Sequence, residues 1–157
     1  MSEIMTEEKV IGNHMVMGNK ARSLAARGRK DVIRAMARHE IGSHQDNGSH
    51  HPTLCEYLAD LDWGQGLSVC RDKEMRHIRE LEEIFDVRVP CVSRHGGNFA
   101  PQHVRMAGEA GLAYVYSHAN PAPCEPAWYC GALNFGREIY MDEMDYGQPR
   151  RLESRLG

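Results

Sequence analysis

The sequence predicts an α/β fold in which parallel strands form an open sheet or part of a barrel. Three observations lead to this prediction. Short apolar stretches typical of strands alternate with stretches whose apolar residues recur at helical spacing. The connections between them are only a few residues long. The length of 157 residues, 41% of them hydrophobic, fits one domain with an ordinary core.

The first third of the chain predicts a strand, two short helices and a second strand. Residues 14–17 are apolar, and Gly18 opens a typical strand-to-helix turn. The arginine-rich residues 21–38 have partly helical apolar spacing, with a break at Gly28, which predicts two helical pieces. An apolar step at Ile41 then predicts a strand that ends in a polar loop.

The middle of the chain predicts two helices. Thr53 is a candidate N-cap for the first. Gly64 and Gly66 then predict an interruption, and the second helix is expected from Asp72 onward. Its apolar positions repeat at helical spacing and predict a buried stripe that consists of Met75, Ile78, Leu81, Ile84 and Phe85.

The remaining elements continue the alternation of strands and helices. Residues 87–93 alternate apolar and polar side chains, which predicts a strand. A proline tolerated in the first turn and Gly111 after the last residue bound a predicted helix at 102–110. Further strands are predicted at 112–116 and 128–133.

Composition and charge exclude several classes of protein. The net charge is −3, with both signs interspersed, so nothing indicates a nucleic-acid partner. The five cysteines include no Cys-x-x-Cys pair and predict neither a disulfide framework nor a zinc knuckle. No apolar stretch is long enough to span a bilayer, and the first residues do not resemble a signal peptide. The sequence therefore predicts reduced thiols and a cytoplasmic location, with no membrane partner.

One segment looks like a reaction site. Residues 39–52 contain four of the nine histidines of the chain. Imidazoles from the end of a strand and from its loop can converge on one point, so His44 and His51 are candidate metal ligands. Because zinc sites normally need three protein ligands, Asp46 is a candidate third. The alternatives are that the histidines only form hydrogen bonds within a polar loop and that Asp46 is an ordinary turn residue.

Three sequence blocks resemble the polysaccharide deacetylase family, the chitooligosaccharide deacetylase-like proteins with a NodB-homology domain. The blocks are VMGNKA at 16–21, HEIGSH at 39–44 with His51-Pro52 downstream, and RHGGN at 94–98. The resemblance divides the chain into a lead-in without ordered structure at 1–12, a deacetylase-like domain at 13–135 that lacks its first strand block, and a charged C-terminal segment at 136–157.

The resemblance implies a partial distorted (β/α) barrel with its site at the carboxyl ends of the strands. It also implies a divalent metal, zinc before nickel or cobalt, held by one Asp and two His and hydrolysing a carbon–nitrogen bond of an acetylated amino-sugar polymer. Carried onto this chain, His44, His51 and Asp46 are the metal candidates, and Arg94 is the catalytic candidate that orients a carboxylate. The candidate substrate-binding residues are Gly96, Gly97 and Asn98.

The chain departs from the family pattern at several points. The family carries adjacent aspartates before the block at 16–21, but residues 1–15 contain no aspartate. The second family histidine would fall at Gly48, and His118 is only a distant candidate for the late acid. These departures indicate an alternative, an inactive remnant that binds carbohydrate or a partner chain. A barrel that lacks strands also leaves open sheet edges, through which a homo-oligomer could form.

Other candidates have an ordinary structural interpretation beside the functional one. Without a carboxylate base, Arg94 is equally well explained by a plain ion pair. Gly96 and Gly97 permit a positive φ or a close backbone approach. Four aromatic residues could stack on sugar rings or belong to the core, and these are Trp63, Trp128, Tyr114 and Tyr116.

Overall fold

The computed structural model describes residues 1–48, 50–115 and 126–135. The helices in these ranges are α1 (Ser2–Glu7), α2 (Gly18–Ala26), α3 (Lys30–Met36), α4 (Leu54–Leu58), α5 (Trp63–Phe85) and α6 (Pro101–Glu109). The strands are β1 (Asn13–Val16), β2 (Glu40–Ser43), β3 (Cys91–Ser93), β4 (Ala113–Val115), β5 (Ala127–Tyr129) and β6 (Ala132–Phe135). The candidates Tyr116 and His118 and the segment 136–157 lie outside the described residues.

The strands form one six-stranded sheet in the order β1-β2-β3-β4-β6-β5. All neighbouring pairs are parallel except the β5–β6 hairpin. The parallel pairs β1–β2, β2–β3 and β3–β4 are each joined through helices, as the alternating sequence pattern predicts. In the described part of the chain the sheet is open, with β1 and β5 at its two edges.

One face of the sheet packs against helices α5 and α6. Helix α5 contacts β2 and α2, and α6 contacts β4 and β6. Alternate strand residues point to this side and are buried, so they form the core together with the apolar stripe of α5. We call this side the helical face, and its strand residues are Val16, Ile41, Ser43, Val92, Tyr114, Ala132 and Asn134.

The intervening strand residues point to the opposite side, which we call the inner face. The register places them all on this one side of the sheet. They are Met15, Gly42, Cys91, Ser93, Ala113, Val115, Leu133, Phe135 and Trp128, with His44 just beyond β2. At the β5 end this face is open to solvent, since Trp128 is 75% exposed and Phe135 is 38% exposed.

Helix α5 begins nine residues before the predicted start at Asp72, and the predicted interruption at Gly64 and Gly66 is wrong. A capping box starts the helix, because Asp62 accepts a hydrogen bond from the backbone N–H of Gln65 at 2.8 Å. The two glycines lie within the helix, and a Cβ on Gly66 would lie 3.4 Å from Gln102 Nε2 on α6. The glycine thus permits close packing of two helices.

Two other segments differ from the prediction. The lead-in, expected to lack ordered structure, contains helix α1, and the buried His39 ties it to the sheet because its Nε2 lies 2.8 Å from the Ser2 carbonyl oxygen. The predicted strand at 128–133 is a hairpin, since Cys130 and Gly131 both adopt a positive φ. No helix of the described ranges is long and apolar enough to cross a membrane.

Candidate functional site at the ends of β2 and β3

His44 and Arg94 directly follow β2 and β3, so the parallel sheet brings these two predicted site residues to the same edge. His44 Nδ1 and Ser93 Oγ share a hydrogen bond of 2.5 Å. Its ring also meets that of His95, with centroids 4.8 Å apart and planes at 64°. Arg94 donates a hydrogen bond from Nη1 to the carbonyl oxygen of Gly96.

The environment of His44 keeps its imidazole neutral. Burial, the largest cause, and the neighbouring His95 and Arg94 together lower the pKa of His44 to about 4. All three causes oppose a positive charge on the ring. At neutral pH the ring is therefore an uncharged donor and acceptor of hydrogen bonds.

Asp46 points away from His44, toward the helical face. Its Oδ1 lies 2.7 Å from Arg22 Nη2 on α2, and its backbone N–H donates to Glu74 Oε2 on α5 over 3.1 Å. A Cβ on Gly18 would lie only 2.3 Å from the same Oδ1. The carboxylate is thus packed against the start of α2.

His51 also lies apart from His44. Its side chain is 80% exposed, and Nδ1 lies 2.8 Å from Glu56 Oε2. Glu56 in turn accepts the backbone N–H of Thr53 over 2.8 Å, as part of the capping box that begins α4. The ring therefore sits beside the N-terminus of a helix in solvent.

These positions do not fit the metal centre that the resemblance implies. The described residues contain no group of three or more His, Cys, Asp or Glu that could hold a metal ion. His44, His51 and Asp46 therefore do not converge. The direction of the backbone explains this, because Gln45 adopts a φ of 65° and turns the chain from the inner face toward the helices directly after His44.

The predicted substrate-binding turn packs against the loop that follows β2. Asn98 donates from its backbone N–H to the His95 carbonyl oxygen over 3.0 Å and closes the turn. Gln45 Nε2 donates to the Asn98 carbonyl oxygen over 2.7 Å, and this contact joins the two loops. Gly96 has a φ of 54°, as its predicted role in a tight turn requires, while Gly97 is exposed.

The helical face also contains a buried polar cluster that is not among the predicted site residues. Tyr57 donates from its hydroxyl to Glu74 Oε1 over 2.9 Å, and burial raises the pKa of Glu74 to about 7. His77 Nε2 lies 3.0 Å from Ser43 Oγ, and His77 Nδ1 lies 4.0 Å from the Asp46 carboxylate.

His103 repeats this arrangement one helix away. Its Nδ1 lies 3.2 Å from the Tyr114 hydroxyl, and its Nε2 lies 4.0 Å from Glu74 Oε2. The signal in the sequence was the helical spacing, because Glu74 and His77 share the face of α5 that carries the apolar Ile78 and Leu81. A polar residue inside an apolar stripe indicates a buried polar contact.

Comparisons with known proteins give a match only at the level of structure. No family model matches the chain, and no curated protein matches it. The wild-type CE4 family pseudoenzyme BA3943 from Bacillus anthracis is 18% identical and aligns with a TM-score of 0.52. A BA3943 mutant described as a CE4 family pseudoenzyme with restored enzymatic activity has the same identity and TM-score.

The match covers 72% of this chain and 35% of the wild-type protein, so the chain spans about a third of the length of that neighbour. At this low identity the likeness concerns the fold alone. The prediction of an α/β fold of the deacetylase type, with part of its barrel, is confirmed. Over most of its described length, the chain has the fold of the CE4, or polysaccharide deacetylase, pseudoenzymes.

Proposed function

We propose that this chain is a non-catalytic polysaccharide-deacetylase-like domain that binds an amino-sugar polymer. One observation supports the absence of catalysis in this proposal: Asp46 and His51 both contact charged residues that lie away from His44. Asp46 pairs with Arg22 at 2.7 Å, and His51 lies 2.8 Å from Glu56. The solved neighbours are themselves called pseudoenzymes, which agrees with this proposal.

Support for carbohydrate binding comes from the inner face. Trp128 is 75% exposed and shares this face with Phe135, which is 38% exposed. Exposed aromatic rings bury the apolar faces of sugars at little conformational cost. Arg94, His95 and Asn98 at the ends of the strands supply hydrogen-bonding groups beyond this aromatic surface.

A titration with chitin oligosaccharides tests the proposal. Calorimetry on the full chain should detect binding, and Trp128→Ala should raise Kd about fivefold, which corresponds to about 1 kcal/mol for one stacked ring. Trp63→Ala is the matched control, because Trp63 is also exposed but lies at the start of α5. Absence of binding, or an equal loss in both variants, would overturn the proposal.

A second candidate is hydrolysis of acetamido groups on the same polymer. It is favoured by the meeting of His44, Arg94 and the 96–98 turn at neighbouring strand ends. Zinc, nickel or cobalt would then need ligands from beyond the described residues. Acetate release from chitin oligosaccharides in the presence of each metal separates the two candidates, since the proposed binding domain releases none.

Self-association is a further part of this proposal. Within the described ranges, strands β1 and β5 are the two edges of the sheet, and an unpaired strand edge is a template for another strand. Light scattering coupled to size-exclusion chromatography should then give twice the monomer mass of 17.8 kDa. A single species of monomer mass across the concentration range would exclude pairing through these edges.

A further inference from the structure

Two histidines and a methionine lie together at the carboxyl end of the inner face. His44 and His95 have ring centroids 4.8 Å apart. Met17 directly follows β1, and a Cβ on Gly48 would lie 2.1 Å from Met17 Sδ and 3.3 Å from His95 Cδ2. The thioether and the imidazole thus flank one point, and all three side chains are half-buried, so solvent can reach them.

His44 can present Nε2 to a bound ion. The Ser93 hydroxyl lies 3.4 Å from the Ser43 carbonyl oxygen, and when it donates there its oxygen can accept the proton of His44 Nδ1 over 2.5 Å. With Nδ1 protonated, a neutral imidazole carries its lone pair on Nε2. A histidine that ligates a metal has this arrangement, in which the other nitrogen donates to an oxygen that fixes the ring.

The charges around His44 decide which ion fits. Among the described residues, the titratable groups that act on this ring are His95 and Arg94, and neither carries a negative charge. A divalent ion held by Met17, His44 and His95 would have no anionic ligand among these three side chains. Imidazole and thioether are neutral and soft donors, and thioethers select Cu(I) over the hard and borderline divalent ions.

We propose that Met17, His44 and His95 bind a monovalent copper ion, Cu(I), at the end of the inner face. The ligand set differs from the one Asp and two His of the implied deacetylase centre. It includes the thioether sulfur of Met17, whereas zinc sites use cysteine thiolates, histidines and carboxylates. The ion is bound as Cu(I), so no electron is transferred. The proposal does not require the chain to bind carbohydrate, although His95 belongs to both proposed sites.

The test is an anaerobic titration of the full chain with Cu(I) in ascorbate, in competition with the chelator bicinchoninate. Met17→Leu and His95→Gln should each lose one tightly bound Cu(I) per chain. Met36→Leu and His50→Gln are matched controls, because Met36 lies on α3 and His50 is exposed in the loop. All five cysteines remain in each variant, so binding to thiols is common to all.

X-ray absorption on the Cu(I)-loaded chain gives a second readout that does not depend on affinity. The original chain should show nitrogen and sulfur scatterers, and Met17→Leu should lose one sulfur. Copper retained equally by the original chain and both site variants would mean that thiols alone hold it, and the proposal would fail. Zn(II) bound at these residues as tightly as Cu(I) would also overturn it.

Discussion

The polar residues on the two faces of the sheet differ in burial and in the contacts that they make. On the helical face, Glu74, His77 and Asp46 are packed among helices and engaged by neighbouring side chains. On the inner face, His44 has one hydrogen-bonded nitrogen and faces a second imidazole at a half-open edge. His44 and Asp46 belong to one short loop, but they lie on opposite faces of the sheet. Their spacing is typical of a metal site, yet Asp46 contributes to packing on the helical face and is not available as a ligand beside His44.

The largest expected effect concerns the buried carboxylate of the helical face. Folding raises the pKa of Glu74 from 4.5 to about 7, mainly by burial, while Tyr57, Asp46 and Lys73 also act on it. The folded chain therefore holds this proton more tightly than the unfolded chain. This contribution to stability is fully present below about pH 4.5 and is lost as the pH rises to about 7, on the order of 3 kcal/mol.

Glu74→Gln mimics the protonated form and should remove this dependence. We expect the variant to gain stability relative to the original chain as the pH rises from 5 to about 7. Urea unfolding at several pH values measures the difference. Burial lowers the pKa values of His77 and His103, so these residues destabilise the folded chain as the pH falls. Both are present in the original chain and in the variant, so their effect cancels in the difference between the two free energies of unfolding. A difference that does not change with pH would show that Glu74 is ionised when folded.

The next effect concerns the close contact at Gly18. In Gly18→Ala the new Cβ would lie 2.3 Å from Asp46 Oδ1 and 2.5 Å from His77 Nδ1. Both groups are held in place, so we expect a loss of about 1 to 3 kcal/mol in the free energy of unfolding. Gly97→Ala is the control, since no atom lies within 4 Å of its added Cβ. Equal stability of the two variants would mean that Asp46 and His77 move away from the added Cβ at little cost in free energy.

A smaller effect is expected on the inner face. Ser93→Ala removes the fully buried hydroxyl that is hydrogen-bonded to His44 Nδ1. A half-buried ring nitrogen left without its partner should cost about 1 to 2 kcal/mol, measured by urea unfolding. Ser68→Ala on the exposed side of α5 is the control. If the two serine variants unfold alike, the contact with His44 contributes nothing to stability.

The smallest effect is expected at His51. Its ring is 80% exposed, and Glu56 keeps its bond to the Thr53 N–H when the ring is removed. His51→Ala should therefore leave the thermal midpoint unchanged, with or without added zinc. A zinc-dependent rise in the midpoint that disappears in this variant would instead assign His51 to a metal site.

Much of the fold could be predicted because its signals are local. The stripe of α5, the helix bounded by Pro101 and Gly111, and the short apolar strands all follow from spacing along the chain. The early start of α5 was also visible, since Asp62 and Gln65 have the spacing of a capping box. Intrinsic propensity alone predicts a break at the glycines that follow, because it does not include the side chains that pack against them.

The candidate site was predictable only in part. A parallel sheet brings strand ends together, so the meeting of His44 and Arg94 follows from the order of the elements. The direction of Asp46 depends on the positive φ of Gln45 and on Arg22, which lies on another helix. No spacing within the loop carries that information.

The loop after β2 has a consequence for how this chain tolerates change. Surface loops normally accept inserted residues at little cost. In this loop the Asp46 amide donates to Glu74, and the Gln45 side chain donates to the carbonyl oxygen of Asn98. These two hydrogen bonds hold residues 45 and 46 in place. Added length should therefore be accepted only near the exposed His50 and His51, and lineages of this fold should vary in loop length there first.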